Sequence, residues 1–221
     1  MNPEDAGWLD RLAHDLRGPL APLQTASYLL QREDLDPARR QELLAMLERQ
    51  TRRLGRMLDE LDDWAKAGRG RLLGQREPCE PVLLLDYALV GSGIRDVAVD
   101  DDGNIAVIDG DSHRLTQLFR ILFDYAAARG GIAGVALRSG DGDARIRIGV
   151  GGDPAQTQDP GQLFDKPQAE PYDEGLGLRL LLAREIARAH GGELSAATAT
   201  EGIAFECRLP LAADTATLDQ G

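Results

Sequence analysis

A histidine near the amino terminus stands among residues that suit group-transfer chemistry. His14 is followed directly by Asp15 and, one helical turn further on, by Arg17, within the run His-Asp-Leu-Arg-Gly-Pro-Leu over residues 14–20. Neutral imidazole is a good nucleophile near pH 7. An adjacent carboxylate can fix its tautomer or accept its proton, and a guanidinium can steady a phosphoryl oxygen. His14 is therefore the candidate nucleophile, with Asp15 and Arg17 as its candidate helpers.

The helix that carries this histidine must keep the ring clear of its apolar side. A stripe of leucines occupies a narrow arc of that helix: Leu9, Leu12, Leu16, Leu20 and Leu23. At about 100° per residue, His14 lies about 160° from the centre of the arc. The pattern predicts an exposed ring that an outside donor can reach.

Residues 5–67 are predicted to form a helical hairpin broken at 32–38, where Asp36 and Pro37 favour a turn followed by a helix start. The second arm carries an apolar seam spaced alternately by four and three: Leu43, Leu47, Gln50, Leu54, Met57, Leu61 and Trp64. A second line widens this apolar face: Leu44, Thr51, Leu58 and Ala65. Two hairpins paired in a four-helix bundle would cover so wide a face, which predicts a homodimer. The alternative is that the face packs on the rest of the same chain.

After a Gly- and Arg-rich linker at 68–79, the pattern changes to alternating strands and helices. Helices are predicted at 80–90, 111–129 and 176–190, and strands at 96–100, 104–109, 132–138, 144–150, 193–199 and 202–209. The first two strands are predicted to form a hairpin, and Asp111 or Ser112 to cap the long helix. This order predicts an α/β sandwich, followed by a disordered tail at 213–221.

Composition excludes several classes of function. The net charge is -12, so a nucleic acid or an acidic membrane surface would be repelled. No apolar stretch approaches the roughly 18 residues that span a bilayer, and the amino terminus does not resemble a signal peptide. Cys79 and Cys207 are far apart without metal-ligand spacing, so free thiols and no metal site are predicted. These features predict a cytoplasmic protein.

The run at 14–20 closely resembles the H-box of sensor histidine kinases, the phospho-accepting motif on their first dimerisation helix. The residues Gly175-Leu-Gly-Leu178, followed by His190-Gly-Gly192, are similar to that family's second glycine box and the helix end after it. The resemblance implies a dimerisation and histidine phosphotransfer hairpin over 1–67. It implies a Bergerat-type, ATPase-like sandwich over 80–212, in which Gly175 and Gly177 mark a vestigial nucleotide site.

Several residues depart from the family pattern. Its long helix carries two asparagines whose amides hold magnesium and nucleotide, and Ile121 and Tyr125 stand at those positions. Gly152 stands where the family's adenine-reading aspartate would be, and Asp173 where the second box has its first glycine. Magnesium prefers hard oxygen ligands at about 2.1 Å, which isoleucine lacks. No tightly bound cofactor is therefore expected.

The favoured interpretation is a histidine phosphotransferase that exchanges phosphoryl groups between His14 and aspartates of response-regulator receiver domains, with a hybrid kinase as one upstream source. The first alternative is an active kinase that phosphorylates its own His14 from ATP and Mg²⁺. The second is a non-catalytic dimeric scaffold that modulates another kinase.

Overall fold

The computed structural model describes residues 3–104, 106–152, 159–200 and 202–212, with side chains from Arg11 onward. The predicted tail at 213–221 lies outside these residues. The chain divides into two units. The first contains the chain up to Asp63 together with the segment 168–177, and the second contains residues 64–167 and the chain from Leu178 onward.

The first unit is built on two long helices, α1 (Pro3–Leu30) and α2 (Pro37–Ala67). The Asp36 carboxylate accepts the Arg39 amide at 3.2 Å, which caps α2 at the predicted turn. Pro37, the first residue of α2, is favourable there because that position needs no amide donor. The predicted helical hairpin is thus confirmed.

Only part of the predicted apolar surface of this hairpin is covered. Ala26, Leu43 and Met57 are fully buried. Leu44 and Leu58, on the second predicted line of α2, are each 52% exposed, and Leu20 on α1 is also exposed. The described hairpin therefore leaves an apolar flank in contact with solvent.

The second unit is an α/β sandwich. Its elements are β1 (Glu77–Cys79), α3 (Pro81–Gly91), β2 (Val99–Asp101), β3 (Ile108–Gly110), α4 (Ser112–Arg129), β4 (Ile132–Gly140), β5 (Asp143–Gly151), α5 (Arg179–Ala189), β6 (Glu193–Ala199) and β7 (Gly202–Pro210). Within the described residues, five strands form a mixed sheet in the order β2-β4-β5-β7-β6. Ile146, Ile148 and Val150 alternate with exposed arginines along β5, so one face of the sheet is apolar. This confirms the predicted fold class for the second half of the chain.

The predicted hairpin over 96–109 is wrong. Strand β2 pairs in parallel with β4, and β3 pairs antiparallel with β1. The turn residues are still recognisable, because the Asp101 carboxylate accepts the Gly103 amide at 2.7 Å. A local turn signal therefore did not determine which strands pair.

A buried polar network joins the ends of two helices in the second unit. Asp111 caps α4 by accepting the Arg114 amide at 3.0 Å, as predicted, and its other oxygen accepts the Gly74 amide at 2.7 Å. The His190 ring, at the end of α5, accepts the Asp111 amide on Nε2 at 3.0 Å. Burial lowers the pKa of His190 below its usual 6.5, so the ring is neutral.

Both cysteines are free and buried, as predicted. Burial raises the pKa of the Cys79 thiol, and it raises that of Cys207 to about 12. Neither thiol is therefore activated as a nucleophile.

Candidate functional site

His14 lies on the exposed face of α1. Its side chain is 87% exposed, and its Nδ1 atom lies 3.2 Å from Oδ1 of Asp15, whose side chain is 35% exposed. The predicted exposure of the ring is therefore confirmed. The role of the ring in catalysis stays a prediction at this point.

The Asp15 contact assigns the protons of the imidazole. A carboxylate can only accept a hydrogen bond, so in neutral His14 the proton resides on Nδ1. The lone pair then resides on Nε2, the outer nitrogen of the ring. The arrangement presents this nitrogen to solvent as a candidate nucleophile.

Arg17 lies three residues beyond His14 and is exposed. It makes no ion pair or hydrogen bond to any of the residues that the structure describes. Side chains three residues apart on a helix are neighbours, so this guanidinium can reach a group attached to His14. The three predicted site residues are thus brought together on one helical turn.

The two positions that correspond to the family's asparagines lie in the core of the sandwich. Ile121 and Tyr125 on α4 are 1% and 3% exposed. The Tyr125 ring meets Phe205 edge-on, with ring centroids 5.4 Å apart, and Phe164 lies 6.0 Å from Phe205. Burial raises the pKa of the tyrosine hydroxyl, which keeps it protonated.

The glycine segment 168–177 belongs to the first unit, where it packs on α2. The Leu176 amide donates to Oε2 of Glu60 at 3.1 Å, and a methyl group at Gly175 would overlap the same carboxylate. About two turns earlier on α2, Nε of Arg53 donates to the Glu174 carbonyl at 2.9 Å. Two side chains of α2 thus hold the backbone of this segment.

The segment also closes on itself. The Gly175 amide donates to Asp173 at 3.1 Å, and the Gln168 amide donates to the Gly177 carbonyl at 3.1 Å. Gly177 has φ +76°, and its backbone lies against Gln168 so closely that no larger residue fits. The predicted site residues Gly175 and Gly177 are therefore both tightly enclosed.

Glu60 and Arg53 were not identified from the sequence. Glu60 is a buried acid, which is rare, but its partner Leu176 is 116 residues away. Arg53 is likewise bound to a distant carbonyl group. A charged residue on α2 carries no local signal of such a partner.

The chain is similar to known sensor proteins and to a phospho-acceptor domain. Residues 6–70 match the His Kinase A (phospho-acceptor) domain. Sensor protein TorS of Escherichia coli is 32% identical over 96% of this chain and 24% of its own length. The sensory histidine kinase/phosphatase NtrB of Rhodobacter capsulatus is 29% identical over 93% of this chain and 62% of its own length. The chain therefore spans less than two thirds of either relative.

Solved structures confirm the fold. Histidine kinase ThkA, in its complex with the response regulator protein TrrA, has a TM-score of 0.72 at 20% identity, covering 92% of this chain and 61% of that one. Acinetobacter baumannii histidine kinase AdeS has a TM-score of 0.63 at 17% identity, covering 90% of this chain and 98% of that one. No helix among the described residues is long and apolar enough to cross a membrane. Residues 6–70 thus match the phospho-acceptor domain of histidine kinases, and over more than nine tenths of its length the chain is similar to sensor histidine kinases.

Proposed function

We propose that the chain is a dimeric phosphorelay protein that takes a phosphoryl group onto His14 from a receiver-domain aspartate and passes it to another receiver. The observation that carries this proposal is the exposed His14 ring, with its Nδ1 atom 3.2 Å from Asp15. The partner of ThkA in its solved complex is a response regulator, which supports a receiver as the partner here. A cytoplasmic location stays a prediction.

The residues present do not suit the transfer of a phosphoryl group from nucleotide. Ile121 has no ligand atom for magnesium, and Tyr125 is packed among aromatic rings. The backbone amides of Gly175 and Leu176, at the glycine box, already donate to carboxylates of this chain. A polyphosphate there would meet two negative charges instead of free amide donors.

Phosphoryl transfer from a receiver domain requires fewer functional groups of this chain than transfer from nucleotide. The Nε2 lone pair of His14 attacks phosphorus, the bond from phosphorus to the aspartate oxygen breaks, and its electron pair leaves on the receiver's carboxylate. The Nδ1 proton then passes to Asp15 or to water. Arg17 is placed to contact a phosphoryl oxygen, while the receiver supplies its own acidic cluster and metal, so positioning is the main requirement.

The exposed apolar flank of the hairpin supports the dimer. Leu44 and Leu58 lie about four turns apart on one side of α2, and Leu20 is exposed on α1. An apolar line with this spacing is typical of a helix-packing seam. A second hairpin would cover it and complete a four-helix bundle.

A second candidate function is autophosphorylation from ATP. The similar proteins include a sensory histidine kinase/phosphatase, and the glycine segment is retained, which favours this alternative. It requires that Glu60 release the segment and that residues other than Ile121 and Tyr125 hold the metal. The remaining alternative, a non-catalytic dimeric scaffold, requires no chemistry at His14.

Labelling with two phosphoryl donors separates these functions. Radiolabelled ATP with Mg²⁺ is expected to leave the chain unlabelled, whereas phosphorylated receiver domains label the wild type and not His14→Ala. His113→Ala is the matched control, because His113 is also exposed, and it should label normally. Strong ATP labelling that disappears in His14→Ala would establish the kinase instead. If no receiver labels the wild type and His14→Ala leaves signalling unchanged, the scaffold function is favoured.

A further inference from the structure

Helix α2 carries a dense group of positive charges in an otherwise acidic chain. Four arginines occur at 49, 52, 53 and 56, and no acidic residue lies between 49 and 58. Their spacing of three, one and three places them on one side of the helix. Since the whole chain has a net charge of -12, this arginine stripe is opposite in sign to the rest of the molecule.

Two arginines of the stripe have no ion-pair partner within the described part of the chain. Arg52 pairs with Glu48, and Arg53 holds the Glu174 carbonyl. Arg49 and Arg56 are exposed and form no ion pair or hydrogen bond with any residue in the described ranges. Unpaired guanidinium groups on a surface are available to an anionic partner.

The arginine stripe lies level with His14 along the hairpin. Because α1 ends at Leu30 and α2 begins at Pro37, residues at equal distances from the turn share the same height. By this count His14 is level with Arg53, and Arg49 and Arg56 are within about 6 Å of that height at 1.5 Å per residue.

The arginine stripe lies on a different side of α2 from the apolar flank that we assign to the dimer interface. At about 100° per residue, the arginines centre roughly 110° to one side of the buried Leu43 and Met57. The exposed apolar line of Leu44 and Leu58 lies roughly 100° to the other side. A second hairpin on the apolar flank would therefore leave the arginine stripe open.

We propose that the arginine stripe is the docking surface for the acidic face of a receiver domain, a step that rests on the function proposed above. A receiver active site presents carboxylates and the phosphoryl group, and the guanidinium fork matches both. Complementary charges orient the encounter and raise its rate. A long polyanion fits less well, because the remainder of this chain would repel it.

The decisive comparison is between two double variants of full-length protein. Arg49→Gln/Arg56→Gln removes the uncommitted charges, and Arg39→Gln/Arg40→Gln makes the same charge change on the same helix near the turn. The probes are a panel of receiver domains phosphorylated with acetyl phosphate and Mg²⁺. The initial rate of transfer to His14 is expected to fall about tenfold in the first variant and to stay unchanged in the second. The wild-type rate should fall with rising salt, and that dependence should weaken in the first variant.

Small-molecule labelling distinguishes a failure here from a failure of the proposed function. Phosphoramidate needs no docking surface, so it should label His14 equally in the wild type and both variants. Equal receiver-dependent rates in all three proteins would overturn the arginine stripe while leaving the phosphorelay function intact. If no receiver labels the wild type, both proposals fail. If the first variant sediments with a different oligomeric state from the wild type, the arginine stripe is an interface between copies of this chain. If the wild type binds duplex DNA or anionic vesicles and only the first variant loses that binding, the arginine stripe binds a polyanion.

Discussion

At the scale of single residues, the chemistry depends on which nitrogen of His14 carries its proton. Asp15 lies beside Nδ1, and the ring is otherwise open to solvent. A carboxylate in this place both selects the tautomer and stabilises the positive charge that develops as Nε2 bonds to phosphorus. Asp15 is therefore expected to affect the rate of transfer more than the fold.

Asp15→Asn should slow phosphoryl transfer to His14 by about 10²-fold, because the amide accepts a hydrogen bond but cannot take up the proton. The measurement is the initial rate of labelling by a phosphorylated receiver. Asp34→Asn removes an exposed acid that pairs with Arg32 in the turn, and it should transfer normally. Equal rates in Asp15→Asn and wild type would remove Asp15 from the site.

The buried His190 makes stability depend on pH. Its pKa is lowered chiefly by burial, so the unfolded chain binds a proton more readily than the folded chain. The stabilisation is complete above the unfolded pKa of 6.5 and is lost as the pH falls through the folded value. Protonation would also remove the Nε2 acceptor for the Asp111 amide.

Urea unfolding at about pH 7.5 and about pH 5 should show this loss in the wild type. His190→Gln is expected to be less stable at the higher pH but to lose less on acidification. His113→Gln changes an exposed histidine and should keep the wild-type pH dependence. An identical pH dependence in His190→Gln and wild type would show that the ring does not titrate with unfolding.

At the scale of elements, the helices were predictable because their patterns are local. The turn at Asp36–Pro37 and the Asp111 cap lie where the sequence placed them. The pairing of β2 with β4 was not predictable from a turn motif, because the partner is more than thirty residues away. Likewise, α5 starts at Arg179 and not at 176, because Gly177 has a positive φ.

The candidate site was likewise predictable from the sequence only where the signal is local. Helical periodicity was enough to predict that His14 is exposed, since the apolar stripe lies on the same helix. The contacts of Glu60 with Leu176 and of Arg53 with Glu174 join residues far apart in the chain. Only the folded backbone brings those groups together, so no spacing rule could have identified them.

Glycine has opposite roles in two elements, which gives a paired prediction. Gly18 is inside α1 with nothing within 4 Å of an added Cβ, so Gly18→Ala should stabilise the protein by about 0.5–1 kcal/mol. Gly177→Ala should destabilise it, because φ is +76° and the Gln168 backbone occupies the space. Urea midpoints of the two variants test this, and a destabilised Gly18→Ala would mean that α1 needs flexibility at that point.

At the scale of the whole molecule, the exposed apolar flank predicts the assembly. Leu44→Glu/Leu58→Glu should convert a dimer into monomers, because carboxylates would be buried in an apolar seam. Leu83→Glu is the matched control, since Leu83 on α3 is 46% exposed and lies outside the hairpin. Sedimentation equilibrium is the measurement. A wild-type monomer, or a dimer that persists in the double variant, would contradict the assignment.

The ring cluster of Tyr125, Phe164 and Phe205 also restricts how this chain can change. Asparagine at 121 would bury an amide in the core, at a cost of about 1–3 kcal/mol if it finds no partner. Truncation at 125 would leave a void costing about 3–5 kcal/mol. Together these losses rival the stability of an ordinary domain, which is only about 5–15 kcal/mol. Introducing asparagines at these two positions one at a time would thus pass through weakened folds.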